Sequence, residues 1–327
     1  MAVIVTGSAG FIGFHVAEAL LARGERVIGV DTLNAYYDPT LKEARLSRLK
    51  QSDRFAFHRI DVADRDAMFA LADASPDVDR VIHLAAQAGV RYSMIDPWAY
   101  VDANVRGQLT VMEACRRLPA CRHLVYASSS SVYGANTKLP FAVDDPVDKP
   151  ISIYAASKRA AELFAETYAH LHGMPMTGLR FFSVYGPWGR PDMAAYLFTK
   201  AILAGEPIQV FNAGDMARDF TYIDDIVAGV LAALERPPGA AVPGASPHRI
   251  YNLGNHRSED LNRFIGLLED ACGRAAIREP RGMQPGDVRA TYADIADAQR
   301  DLGFAPETPI DAGLKRFVAW YRNYHGV

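Results

Sequence analysis

A chain of 327 residues, 50% hydrophobic and 22% charged, is long enough for one large core plus an appended lobe and too apolar for disorder. Its formal net charge of −3, with basic and acidic residues interspersed, leaves no electrostatic footprint for nucleic acid or an anionic membrane. The three cysteines, Cys115, Cys121 and Cys272, lack metal-ligand spacing and cannot all pair, which excludes a disulfide framework and fits a reduced, cytoplasmic setting. The N-terminal run MAVIVTGSAGFIG has no basic flank and is broken by glycines, so neither a signal peptide nor a membrane span is expected.

AVIVTG opens the chain as an apolar strand, followed by a helix over 11–23, the strand RVIGVD and a charged helix over 41–50. The strand FAFHRID, a helix over 64–72 and the strand RVIHLA come next. Apolar strands alternating with helices predict a parallel sheet covered on both faces, a doubly wound α/β arrangement. A helix over 101–118, the strand HLVYAS, a helix over 155–172 and the strand MTGLRFF extend it. After Phe182 the pattern loosens. IQVF, DFTYI, RIYNLG and ATYADI read as short strands among helices at 225–234, 258–272 and 310–324. They predict a smaller mixed α/β lobe on the carboxyl ends of the parallel strands, where open α/β sheets bind ligands. The division expected is 1–180 and 181–327, with a segment near 223–254 returning to the first domain. RPPGAAVPGASPHR, 236–249, reads as an exposed loop, and no internal repeat is present.

Gly7, Gly10 and Gly13 follow the first strand and open a helix. The spacing G-x-x-G-x-x-G provides a tight turn, close backbone approach to a pyrophosphate and helix N–H groups aimed at its charge. Asp31 ends the second strand, where a carboxylate accepts both ribose hydroxyls and repels a 2′-phosphate, favouring NAD over NADP. Asp61, after the third strand, reaches either an adenine amino group or the next helix as its N-cap. Tyr154 and Lys158 of YAASK stand four apart on one helical face. An ammonium beside a phenol stabilises the phenolate and makes the tyrosine a base near neutral pH; without further partners the same spacing is an ordinary surface pair. The partners come from YASSSSVYG, a strand that empties into Ser128, Ser129, Ser130 and Ser131 at the sheet's carboxyl end.

TGSAGFIG, HLAAQAGVRYS, YASSSSVYG, YAASK and GDMARDFTYIDDI together resemble an extended short-chain dehydrogenase/reductase, in particular a nucleotide-sugar epimerase, over nearly the whole chain. The resemblance implies a Rossmann domain holding NAD tightly and a nucleoside-diphosphate sugar between the lobes. It also implies a catalytic set of Ser129, Tyr154 and Lys158, with one residue of uncertainty within the serine run. Cofactor contacts are implied for Phe11, Ile12, Asn34, Val62, Leu84, Ala85, Ala86, Gln87 and Asn104, beside the glycines, Asp31 and Asp61. Dehydrating relatives carry an acidic pair at the positions of Ser130 and Ser131, and related decarboxylases tend to carry a glutamate there. Epimerisation at C4 is thus the simplest reading: proton and hydride leave, the planar 4-keto sugar turns over, and both return.

RFFSVYGPWGRPDM resembles the corresponding loop of UDP-glucuronate 4-epimerases. A uronate's 4-keto form is a β-keto acid, so its carboxylate must be held in an unreactive orientation, and Ser183 with the forked donor Arg190 suits that group. Arg190 serves otherwise as a pyrophosphate or partner contact. The likeness adds Arg91, Ser93, Ser128 and Ser130 near the substrate. It makes Arg218 a diphosphate ligand or a surface ion pair, Asp287 a uridine-ribose acceptor or a turn residue, and Phe211 a base-stacking ring or a buried strand aromatic. The rivals are a neutral-hexose 4-epimerase, a UDP-glucuronate decarboxylase and a non-catalytic NAD-binding protein. Positions 109–112 and 163–168 form either the four-helix seam of a homodimer or sheet-facing core.

Overall fold

The computed structural model describes residues 1–239, 244–283 and 286–327. Apolar runs with no polar alternation must be buried on both faces. Residues 2–181 set six strands in one sheet, β1 (Ala2–Thr6), β2 (Arg26–Asp31), β3 (Phe55–Arg59), β4 (Val78–His83), β5 (His123–Ser129) and β6 (Met176–Phe181), of which the edge strand β3 is only partly buried. Between them lie α1 (Phe11–Ala22), α2 (Thr40–Leu49), α3 (Arg65–Asp73), α4 (Pro97–Tyr100), α5 (Gly107–Arg117) and α6 (Ile153–His172). Then come β7 (Ser183–Tyr185), α7 (Ala194–Ala204), β8 (Pro207–Phe211), β9 (Ala217–Arg218), β10 (Phe220–Tyr222) and α8 (Ile223–Leu234). The chain closes with β11 (His248–Leu253), β12 (Glu259–Asp260), α9 (Leu261–Cys272), β13 (Ile277–Arg281), α10 (Ala296–Leu302) and α11 (Ile310–His325).

The large sheet has seven strands in the order β11-β6-β5-β4-β1-β2-β3, all parallel. The order reverses direction between β1 and β4, which opens a crevice at their carboxyl ends. The remaining strands pair two by two, β7 with β10, β8 with β13 and β9 with β12. Their lobe is held by aromatic packing: Phe220 stacks on Phe264 of α9 with centroids 4.2 Å apart, and Phe264 is wholly buried.

Four segments depart from the sequence expectation. ATYADI is not a strand: it makes isolated bridges from Ala290 to Ala217 and from Ala293 to Phe141. The Ala293 N–H is taken instead by the Asp219 carboxylate at 3.1 Å, so a side chain replaces the ladder. The helix expected over 101–118 starts at Pro97, runs through a π-helical stretch, Val101–Arg106, and becomes regular at Gly107. α7 carries no starting signal, having no side-chain cap and no acid in its first turn. β13 is exposed along its length and shows no alternation to read. The loop expected over 236–249 lies partly outside the described residues, at 240–243.

Truncating Phe264 to alanine leaves a cavity between α9 and β10. The expected loss is about 3–5 kcal/mol of stability, checked by urea unfolding of the purified protein.

Candidate active site

The start of α1 is built to receive an anion. Gly10 is its N-cap with no side-chain bond, and no acid sits in the first turn, so its leading N–H groups stay open. Asp64, Ser152 and Asp260, by contrast, cap α3, α6 and α9 with their own side chains. The glycines are a packing requirement. A Cβ on Gly13 would fall 2.0 Å from the Gly7 carbonyl, and one on Gly7, at φ +71°, would fall 2.7 Å from the Ala85 nitrogen. The Asp31 carboxylate accepts from the Ala9 N–H at 3.1 Å and the Leu33 N–H at 2.8 Å, which fixes it at the end of β2.

These residues line a cleft of about 340 Å³ together with Phe11, Ile12, Asn34, Asp61, Val62, Leu84, Ala85, Ala86, Gln87, Tyr154 and Lys158. Asp61 is not the cap of α3, which is Asp64; its carboxylate takes the Ala63 N–H at 2.9 Å. Asn104 does not face the cleft. It sits in the π-helical stretch with its amide spent on Gln87 and on the Ser157 hydroxyl at 2.9 Å, and so braces the cleft wall from behind.

A second cavity of about 260 Å³ lies beyond, lined by Ser130, Ser131, Ser183, Arg218 and Asp287 among others. Ser129, Tyr154, Phe182, Arg190 and Met193 line both cavities and form the wall between them. The hydroxyl, the phenol and the guanidinium expected to do chemistry therefore stand where a group in one cavity meets a group in the other.

Burial raises the Tyr154 pKa, and the Ser129 hydroxyl and the Arg190 charge oppose that rise. The sequence expectation gave this downward pull to Lys158; in the structure Lys158 donates to the Ala127 carbonyl at 3.0 Å, and the cation acting on the phenol is Arg190. Lys158 itself is pulled down to about 8 by burial, with Glu162 opposing. Tyr154, Lys158 and Glu162 follow at four-residue steps on one face of α6. Glu162 is buried, held by Arg180 at 2.8 and 3.0 Å, by Arg159 at 3.0 Å and by the Ser128 hydroxyl at 2.6 Å. Ser128 is thus turned into the protein and away from the sugar cavity, a correction that follows from the two-residue period of β5, where neighbours face opposite ways.

Ser93 is also corrected: fully buried, it donates to the Val90 carbonyl at 2.6 Å. Arg91 pairs with Asp287 at 2.9 Å, and its guanidinium lies over the Phe211 ring at 4.3 Å, which brings three residues expected at the substrate into one cluster. Arg218 is nearby; burial lowers its pKa, with Asp287 opposing and Arg91 adding to the fall, and it donates to the Ala217 and Arg289 carbonyls.

Sequence reasoning missed the supports of the loop that carries Arg190. Arg45 is wholly buried and, among the described residues, has no carboxylate partner; it donates to the Trp188 carbonyl at 2.5 Å, to the Ala9 carbonyl at 2.9 Å and to the Tyr37 hydroxyl at 2.8 Å. Trp188 sits at φ +61°, a conformation that this grip holds in place. Lys42 lines the cofactor cleft and fixes Asn34 through two hydrogen bonds of 2.7 and 2.6 Å. The spacing of LKEAR marked a charged helix and nothing in it pointed across the fold. Among the described residues no group of three or more His, Cys, Asp or Glu could hold a metal ion, and no helix is long and apolar enough to cross a membrane.

The profile of the NAD dependent epimerase/dehydratase family matches residues 3–254. UDP-glucuronate 4-epimerase 4 of Arabidopsis thaliana is 47% identical over 335 residues, covering 99% of this chain and 76% of that protein. Protein CapI of Staphylococcus aureus is 46% identical and matches 99% of both chains. The fold is similar to that of the UDP-glucuronic acid 4-epimerase of Bacillus cereus solved with UDP-glucuronic acid and NAD, with a TM-score of 0.90, 33% identity and coverage of 99% of this chain and 100% of that one.

The buried Lys158 makes a prediction about stability. Its folded pKa, about 8, lies below the 10.5 of the free side chain, so folding disfavours the ammonium. That penalty is fully present below pH 8 and disappears as pH rises through 10.5. Lys158→Met is expected to raise stability at pH 7 by about 1–3 kcal/mol, and to lose that advantage toward pH 10, in thermal melts across the range.

Proposed function

The chain belongs to the NAD dependent epimerase/dehydratase family, and from that membership we propose that it interconverts UDP-glucuronate and UDP-galacturonate by inverting C4 without releasing carbon dioxide. The observation that carries the reading is the shared wall, where Arg190 lies with Tyr154 and Ser129 between the two cavities.

The residues of the first cavity fit NAD. The closed approach of Gly7 and Gly13, the open α1 terminus and the anchored Asp31 carboxylate suit a pyrophosphate and a ribose diol. NAD, when bound, supplies the hydride acceptor and donor for C4. Tyr154 takes the O4 proton and later returns it, and the Ser129 hydroxyl stabilises the phenolate. Lys158 contributes positive charge from its place on Ala127. Ser130 and Ser131 in the second cavity provide hydroxyls and no carboxylate, which supports epimerisation over elimination of water.

With a C6 carboxylate, the 4-keto sugar loses carbon dioxide if the C5–C6 bond aligns with the ketone, its electron pair passing into an enolate. Arg190 and the Ser183 hydroxyl hold the carboxylate out of that alignment. Arg218, Arg91, Asp287 and Phe211 take the nucleoside diphosphate. The same reading makes the enzyme a cytoplasmic homodimer. Its three cysteines are free, and the adjacent α5 and α6 expose Leu109 and Leu163, although Met112 is core.

The test is to incubate the purified protein with UDP-glucuronate, without added cofactor, and follow nucleotide sugars by NMR alongside released gas. UDP-galacturonate without carbon dioxide is the expected product; UDP-xylose or a 4-keto pentose, or no turnover, sinks the reading. Arg190→Ala is expected to lower epimerisation about 10–100-fold and to raise the share of carbon dioxide while NAD retention stays unchanged.

A further inference from the structure

Arg190 meets its own loop before it meets a ligand. Asp192 takes the Nε and Nη2 edge of the guanidinium at 3.0 and 2.5 Å, and the Tyr36 hydroxyl donates to the same carboxylate at 3.1 Å. Among the described residues no second carboxylate pairs with Arg190, so the Nη1 end of the fork carries no counter-charge. Tyr36 belongs to the turn after β2 and lines the cofactor cleft. Its ring packs on Tyr92 at 5.0 Å, Tyr92 on Tyr100 at 6.3 Å and Tyr100 on Tyr154 at 6.0 Å. The pair that sets the direction of Arg190 is therefore tied to both the cofactor side and the catalytic phenol.

We propose that Asp192, locked by Tyr36, is the positioning residue that decides which product Arg190 permits, by holding one edge of the guanidinium and presenting the other to the substrate's C6 carboxylate. The inference rests on the uronate reading above. A free arginine has a long flexible stem and would follow the carboxylate as the ring turns, allowing the C5–C6 bond to swing into line with the ketone. An arginine already paired side-on cannot follow. Sharing its charge with Asp192 also weakens its hold on the sugar, which leaves the ring free to rotate. Among the described residues no carboxylate other than Asp192 pairs with the fork, and the titratable groups around it are Tyr36, Tyr154, Tyr100 and the Lys42 ammonium.

The experiment compares the full chain, as purified with its retained NAD, with Asp192→Asn, Asp192→Glu and Tyr36→Phe on UDP-glucuronate, reading KM, kcat and the ratio of carbon dioxide to UDP-galacturonate. Asp192→Asn is expected to lower epimerisation kcat about 10–100-fold, to leave KM within about threefold and to raise the carbon dioxide ratio about tenfold. Asp192→Glu should restore most of the original ratio, and Tyr36→Phe, which removes one hydroxyl, should move it the same way by a smaller factor. A loop that is merely loosened would lose activity without changing the ratio. That result, or an unchanged ratio in both Asp192→Asn and Tyr36→Phe, overturns the proposal. An unmodified protein that leaves UDP-glucuronate untouched overturns the uronate reading itself and this inference with it.

Discussion

The ion pair between Glu162 and Arg180 is where the elements of the site are joined. Both side chains are buried, and they connect α6 to β6 directly beneath the serines that end β5. Arg180 also donates to the Tyr133 hydroxyl and to the Val143 carbonyl at 3.0 Å each, and Tyr133 passes the connection to Asn252 of β11 at 2.7 Å. A pair of this kind contributes little net stability, because desolvating two charges offsets most of their attraction. What it contributes is register. Tyr154 and Lys158 lie two turns and one turn ahead of Glu162, so fixing Glu162 against β6 fixes the rotation of α6 and the height of the phenol above the strand end.

The substrate side depends on a different kind of grip. Residues 186–193 have little regular structure, and the Trp188 and Gly189 carbonyls are held by Arg45, a buried cation whose hydrogen-bond partners among the described residues are neutral acceptors. Burying an unpaired charge is expensive unless its hydrogen bonds are satisfied. Arg45 satisfies them by drawing together three otherwise separate pieces of chain: the glycine turn at Ala9, the β2 turn at Tyr37, and the loop at Trp188 and Gly189. The requirement of one side chain thus becomes a constraint on the geometry of both cavities.

Periodicity made the first half of the fold legible. The β1 turn, the alternation of apolar strands and helices, and the four-residue step from Tyr154 to Lys158 are local patterns, and they pointed to the glycine-lined cleft and to the α6 face that borders it. Ser128, Ser93 and Asn104 were assigned to ligands because position along the chain does not reveal which way a side chain points. Each proved to be spent on the protein's own groups. Arg45, Asp192 and Tyr36 were invisible for another reason, since their meaning lies in contacts across as many as 156 residues of sequence. α7 and β13 escaped because neither carries a cap or an alternation to mark it.

The reach of Arg45 limits how this architecture can be altered. A loop fastened only at its own ends could be exchanged between relatives as a unit, taking its ligand preference with it. Here the loop's shape is written partly in α2 and in the turn after β2, on the opposite side of the crevice. Grafting residues 183–193 onto another scaffold would therefore transfer the amino acids without their conformation unless partners equivalent to Arg45, Tyr36 and Tyr37 travelled with them. Divergence of specificity in such a fold must proceed by paired changes on both walls, and neighbouring members should differ there in concert.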